Sequence, residues 1–388
     1  MAIAGFCASL VGIGLARFAY TPLLPAIIQE GWFAPSQASY LGAANLMGYL
    51  LGAILAGGFA HRRSTVAFLR LMMLVATISF FACAWPVSFV WFFVWRLLAG
   101  ISGGALMVLA APVILRHVDA RQAGMITGAI FTGIGVGIAI SGTLMPLLLQ
   151  DGLTASWLGL GAVALLLTLI AWQGWPTDDA AATTASPTLS SPSARSQSAR
   201  SRPVVIFSLQ YGLNAVGLVP HMIFLVDFIA RSLGRGVEIG ATYWVLFGLS
   251  AMLGPILAGR AADRYGAQAT LRVAYVLQGL AVAVLLITDN PISLGISACV
   301  MGALTPGVVP LALARLKELL HDPRVRHRAW SGATATFAVG QAAAAYGFTV
   351  LLAQSGSYRP VFAVAAISLV VAFVLDLMVR SRSCVSPS

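Results

Sequence analysis

The sequence predicts an all-α, polytopic membrane protein with twelve transmembrane helices in two parallel six-helix repeats. Three observations carry this. First, only 9% of the 388 residues are charged and 59% are apolar, with a mean hydropathy of +0.90. A soluble domain keeps roughly a quarter of its residues charged, so lipid is the solvent that suits this surface. Second, apolar runs of about 20 residues or more recur along the chain, long enough to cross a hydrocarbon core of roughly 30 Å. They are rich in Leu, Ala, Gly and Val without period-two alternation, which reads as helices and not as barrel strands. Third, the stretch Leu253-Gly254-Pro255-Ile256-Leu257-Ala258-Gly259-Arg260-Ala261-Ala262-Asp263-Arg264 echoes Leu51 to Arg62 at an offset of 202, with eight of twelve positions identical. Such an echo between helical segments marks structurally equivalent halves.

Taken in order, segment 1 runs from about Ile3 to Ile28 and contains Gly12, Gly14, Arg17, Pro22 and Pro25. Segment 2 covers about Ala38 to Ala60 and ends in His61-Arg62-Arg63, and segment 3 covers Val66 to Ala84. Segment 4 runs from Val87 to Leu115, the Gly-rich segment 5 from Ala123 to Leu149, and segment 6 from Ser156 to Trp175. Composition then changes to Ala, Ser, Thr, Pro, Asp and Arg, which cannot bury apolar area and predicts a flexible linker. Segments 7 to 12 follow at about Val204–Ala230, Ala241–Arg260, Leu271–Ile287, Ile292–Leu319, Ala329–Ala353 and Pro360–Val379. An even count per half gives both halves one orientation, related by an axis along the membrane normal. The expected organisation is an N-terminal bundle over 1–175, a cytoplasmic linker over 176–203, a C-terminal bundle over 204–380 and a cytoplasmic tail over 381–388.

The formal charge of +11 would point to nucleic acid in a soluble protein, but its distribution excludes that partner. Arg231, Arg235 and Arg359 fall in one set of connections and Arg17 and Arg96 deep within segments; every other Lys and Arg falls in the opposite connections, within about a turn of them, or in the tail. That bias puts both termini in the cytoplasm of a multi-pass inner-membrane protein. The apolar start reads as a first membrane helix and not as a removable signal. Cys7, Cys83, Cys299 and Cys384 are scattered without metal spacing and read as small apolar fillers. Trp91, Trp95, Trp157 and Trp172 read as lipid-facing or interfacial anchors.

Twelve segments in two halves with a long polar central loop resemble the major facilitator superfamily. The turn Gly259-Arg260-Ala261-Ala262-Asp263-Arg264-Tyr265-Gly266 matches that superfamily's inner-loop signature, and Arg96 with Gly100 in segment 4 is similar to its second signature. Gly12-x-Gly14-x-x-Arg17-Phe18 followed by Pro22-Leu23-Leu24-Pro25 is similar to the bacterial YbfB/YjiJ-type group. In the first half, His61 stands where the inner-loop motif has an acid and Ser64 where it has a glycine. The resemblance implies a transporter that rocks two bundles about a central site, with a gating role for Asp263, Arg264, Gly259 and Gly266. It also implies a coupling role for Arg96.

Residue chemistry adds a candidate site. Arg17 lies about 14 residues into segment 1, or roughly 20 Å along a helix axis, near mid-bilayer. A buried arginine there costs at least about 2.5–3.5 kcal/mol and cannot easily snorkel, so it must face a wet cavity or a partner. The first half has no acid within a helix core, which makes the cavity positive and favours an organic anion. Tyr20, Asn45, Tyr49, Gln210, Tyr211, Asn214 and Gln341 are expected to complete a polar pocket between the halves; each alone is more often an interhelical hydrogen-bond partner. His221 and Asp227 are the candidate proton carriers, and Asp376 is expected at the membrane interface. A carboxylate such as Asp263 at the start of an inner loop is expected to cap the next helix or to pair with a neighbouring base. No nucleotide loop, metal cluster or nucleophile triad is present, and the Gly-x-Gly of segment 1 follows no strand, so no cofactor and no enzyme activity are expected. The expected protein is a monomeric secondary transporter of a small organic solute, an anion coupled to a proton. Two alternatives stay open: an efflux pump for neutral or cationic amphipaths, and a membrane sensor that reuses the fold.

Overall fold

A computed structural model of the chain describes residues 1–59, 65–119, 122–176, 201–320 and 322–378. His61 and Ser64, most of the expected linker and the expected tail lie outside the described residues. Among those described there is no strand, and eleven helical stretches are long and apolar enough to cross a membrane. One of these, Met125–Trp172, is 48 residues long, far more than a single crossing needs. It divides at Gly152, whose φ of +90° no helix accepts. Twelve spans result.

In chain order, α1 comprises Ala2–Ser9, a π-helical turn at Leu10–Leu15 and Tyr20–Gln29. Then come α2 (Pro35–Phe59), α3 (Thr65–Ala82), α4 (Phe89–Leu115), α5 (Ala123–Leu148) and α6 (Gly152–Trp172). The second half holds α7 (Arg202–Asp227), α8 (Val237–Tyr265), α9 (Ala267–Ile287), α10 (Pro291–Leu319), α11 (Pro323–Ser355) and α12 (Arg359–Met378). The polar ends of α8 and α11 extend several residues beyond the apolar segments that sequence marks.

The duplication has a physical basis in helix contacts. A methyl on Gly52 of α2 would strike the backbone of Ile101 in α4, and one on Gly254 of α8 would strike that of Ala303 in α10. Gly100 meets the carbonyl of Asn45, and Gly302 meets that of Phe247. Each pair is separated by the same 202-residue offset that the sequence echo shows. Only glycine lets these backbones approach so closely, which is how membrane helices gain packing without a hydrophobic drive.

Between the halves, α5 packs along α8 through Gly135, Gly142 and Gly248, where any side chain would meet the facing helix. Trp244 of α8 donates its indole N–H to the Ser141 hydroxyl of α5 at 3.1 Å. On the opposite flank α2 meets α11, with the Tyr40 and Tyr346 rings 6.0 Å apart. The later part of α1 lies on α7, where the Thr21 hydroxyl donates to the Met222 carbonyl.

One expectation about position needs correction. Trp157, expected at the lipid face, is only 1% exposed and packs against Tyr20, Phe80 and Phe92. Its neighbours on α1, α3 and α4 bury it inside the first bundle. Asp376, expected at the interface, lies in the last turn of α12, where it is buried within the second bundle and paired with Arg272 of α9 at 2.6 Å.

Candidate functional site

The site starts from a break in α1. Gly12 and Gly14 carry no Cβ, and a methyl on Gly14 would run into the backbone of Gly137 in α5. Here the amides of Ala16 and Phe18 bond five residues back, to Val11 and Ile13. Such π-helical turns loosen the regular ladder and are frequent at functional sites. Buried backbone at this depth must find partners within the protein. The Ala16 carbonyl accepts from Arg96 Nη1 at 2.8 Å and from Asn45 Nδ2 at 3.3 Å. Asn45 Nδ2 also reaches the Arg96 carbonyl at 3.3 Å. Of the two arginines, Arg96 is thus the one tied to a backbone carbonyl of α1.

Arg96 lays its guanidinium over the Tyr20 ring, 4.4 Å from the centroid, and the Tyr20 hydroxyl donates to the Ala38 carbonyl at 2.7 Å. Arg17 is held differently. Its guanidinium lies between Phe18 and Tyr49, 5.2 Å and 4.9 Å from the two ring centroids. Its Nη2 touches the sulfur of Met222 in α7 at 3.8 Å, a weak acceptor that carries no charge. The Nε atoms of both arginines are buried without a protein hydrogen-bond partner. Around them lies a narrow cleft of about 10 Å³ between the halves, lined by Arg17, Tyr20, Asn45 and Arg96 on one side and by Met222 and Ile223 on the other. That is room for about one water, so a substrate needs the cleft to widen.

The remaining candidates divide. Gln341 of α11 joins the rim, donating from Nε2 to Met222 Sδ at 3.4 Å. Gln210 donates to Asp376 at 3.2 Å and Asn214 to Gln278 at 2.7 Å, so both face the interior of the second half. Tyr211 stacks on Phe207 and Phe337 and does not line the cavity. His221 pairs through Nε2 with the Ser297 hydroxyl at 2.8 Å and packs edge-on against Phe362. Asp227 holds Arg231 at 2.5 Å and accepts from the Tyr358 hydroxyl. Neither reaches Arg17 or Arg96.

At the other end of α8, Asp263 and Arg264 are exposed, and Arg264 covers the Tyr265 ring. Gly266, with φ of +85°, ends the helix. The cap of α9 comes from Glu318 of α10, whose carboxylate accepts from the Ala267 amide at 2.9 Å while Arg315 holds it at 2.9 Å. The capping role expected of Asp263 is therefore filled by Glu318. Sequence reasoning also missed Thr21, Met222 and Ile223; the last two are apolar and carry no polar signal.

Twelve helices in two like halves around a central cavity define a transporter of the major facilitator class. A model of the family described as "Uncharacterised MFS-type transporter YbfB" (MFS_4) matches residues 9–377, and the chain belongs to that family. A gallate transporter of Pseudomonas putida is 24% identical over 74% of this chain and 69% of its own length. The 4-hydroxybenzoate transporter PcaK of Acinetobacter baylyi is 30% identical over 31% of this chain and 26% of its own. A crystal structure of a D-xylose-proton symporter superposes with a TM-score of 0.79 at 15% identity, covering 98% of both chains, which shows the shared fold. These relatives are transporters and not enzymes, and the chain is a multi-pass membrane transporter like them.

Proposed function

We propose that this transporter carries a small organic anion, with aromatic carboxylates as the first candidates, by alternating access around the Arg17–Arg96 cavity. One observation carries the reading: among the described residues, Arg17, between the halves, has two aromatic faces and a thioether around its guanidinium. A carboxylate would supply the charge and the acceptors that Arg17 lacks, and a flat ring would fit beside Tyr49 and Phe18. The names of two relatives, a gallate and a 4-hydroxybenzoate transporter, point to the same class. Proton coupling, expected from His221 and Asp227, would need a route other than the cavity wall, since both side chains are engaged within the second half. Asp263 and Arg264, with Gly259 and Gly266, are assigned to gating at the cytoplasmic face, where contacts made in one access state bias the equilibrium. The same reading takes the protein as a monomer of the bacterial inner membrane, with bundles over 1–175 and 204–380 joined by 176–203, as expected from its sequence.

Binding tests the reading. Benzoate, 4-hydroxybenzoate, gallate and aliphatic carboxylates are titrated into the purified protein and the rise in melting temperature is measured. At least one aromatic carboxylate is expected to bind, and Arg17→Gln to weaken it by about 1.5–3 kcal/mol, the worth of a charged hydrogen bond. Partial retention in Arg17→Lys would mark a charge requirement without bidentate geometry. Undiminished affinity in both variants would show that Arg17 does not hold the anion, and no binding by any carboxylate would favour a pump for neutral or cationic amphipaths.

A further inference from the structure

We propose that the site works by exchange: it passes between its two access states readily only with an anion bound, so that entry of one anion is matched by exit of another. This rests on the anion reading above and adds the mode of coupling.

The argument is one of charge. Arg17 and Arg96 bring two cations to one cavity, and each buries an unpartnered Nε. Three ion pairs among the described residues, Asp227–Arg231, Arg272–Asp376 and Arg315–Glu318, lie in the second half. Among the described residues no carboxylate and no imidazole lines the cavity. To change sides, a transporter must pass through a state closed at both ends, with less water around these guanidiniums. Removing water from an uncompensated cation is costly, and a bound carboxylate lowers that cost by pairing with it. The loaded site therefore crosses more easily than the empty one.

A proton symporter returns empty because an acidic side chain at its site balances the charge once the substrate has left. Here the titratable groups around the guanidiniums are Tyr20 of α1 and Tyr49 of α2, whose rings they face, and Cys83, which shares a second small cavity with Arg96. In water such phenols and thiols titrate at roughly 10 and 8.5, so at neutral pH none supplies a negative charge. His221 is turned to Ser297 and Phe362, and Asp227 is held by Arg231 and Tyr358. Among the described residues of the second half, the polar atom that Arg17 meets is the neutral sulfur of Met222. Among the described residues no ionised acid stands at the site in place of the anion.

Counterflow in vesicles tests this. The full chain is reconstituted, and each carboxylate that raised the melting temperature is supplied as label to vesicles loaded with the same unlabelled anion or with buffer alone. Membrane potential is clamped. Uptake is expected to be on the order of tenfold faster into anion-loaded vesicles, a typical size for a coupling between states. It should be unchanged by a protonophore or by an inward acid gradient. Equal uptake into buffer-loaded vesicles, accelerated by an acid gradient, overturns exchange and leaves the anion site standing. If no carboxylate raises the melting temperature, the anion reading falls and exchange falls with it.

Discussion

The hydroxyl of Thr21 donates to the backbone carbonyl of Met222 at 2.5 Å, across the boundary between the two halves. One turn earlier on α1, Arg17 touches the sulfur of the same methionine, and Gln341 reaches it from α11. Three side chains from two bundles thus converge on one residue and close that side of the cavity. Because Met222 contacts Arg17, an anion that engages Arg17 also acts on the contact that holds this side shut.

Thr21→Val keeps the shape of the side chain and removes the donor. Loss of one such bond is worth about 1 kcal/mol, which moves a two-state equilibrium about fivefold. With Ile223→Cys as a reporter in a background without other cysteines, labelling by an impermeant thiol reagent should rise by about that factor in Thr21→Val. An unchanged rate would show that closure does not depend on this contact.

The paired glycines give a stability test with an internal control. Gly52→Ala and Gly254→Ala each set a methyl against backbone, which cannot move aside as a side chain would. Each is expected to cost about 1–3 kcal/mol and to lower the melting temperature in detergent to a similar extent. Gly332 of α11 faces open space, so Gly332→Ala should leave the melting temperature unchanged or raise it, by up to about 1 kcal/mol of helix preference. Similar losses at all three positions would point to general fragility instead of close packing.

The repeat was legible because backbone contact leaves glycine at fixed positions in both halves. Arg17 and Arg96 were legible because a charge at mid-membrane has few other uses. What the sequence could not show was the direction in which α7 turns. Gln210, Asn214 and His221 share one helical face by spacing, but spacing does not say which neighbour that face meets. It meets α9, α10 and α12, and the face toward the cavity carries Met222 and Ile223, which look like any other apolar lining. The halves are alike in backbone and unlike in chemistry. Asn45 and Arg96 correspond by the 202-residue offset to Phe247 and Ala298, so the polar site belongs to the first half.

Membrane orientation is the last expectation, and several contacts frame it. Arg235, just after α7, donates to the Asp289 carbonyl just after α9, so the turns at Gly236 and Asn290 share one end of the bundle. At the other end Glu318 of α10 caps α9 beside Asp263 and Arg264, and Arg70 of α3 donates to the Trp172 carbonyl at the close of α6. The basic residues are concentrated at that second end and in 177–200, which the positive-inside bias assigns to the cytoplasm. Single cysteines at Ser190, Gly152, Gly236 and Asn290, in a background without native cysteines, are treated in intact cells with an impermeant thiol reagent. Gly152→Cys, Gly236→Cys and Asn290→Cys should label, and Ser190→Cys should label only after the membrane is permeabilised. The reverse pattern would invert the protein and put Asp263 and Arg264 at the outer face; it would leave the Arg17–Arg96 cavity in place but make Thr21 and Met222 the inner closure.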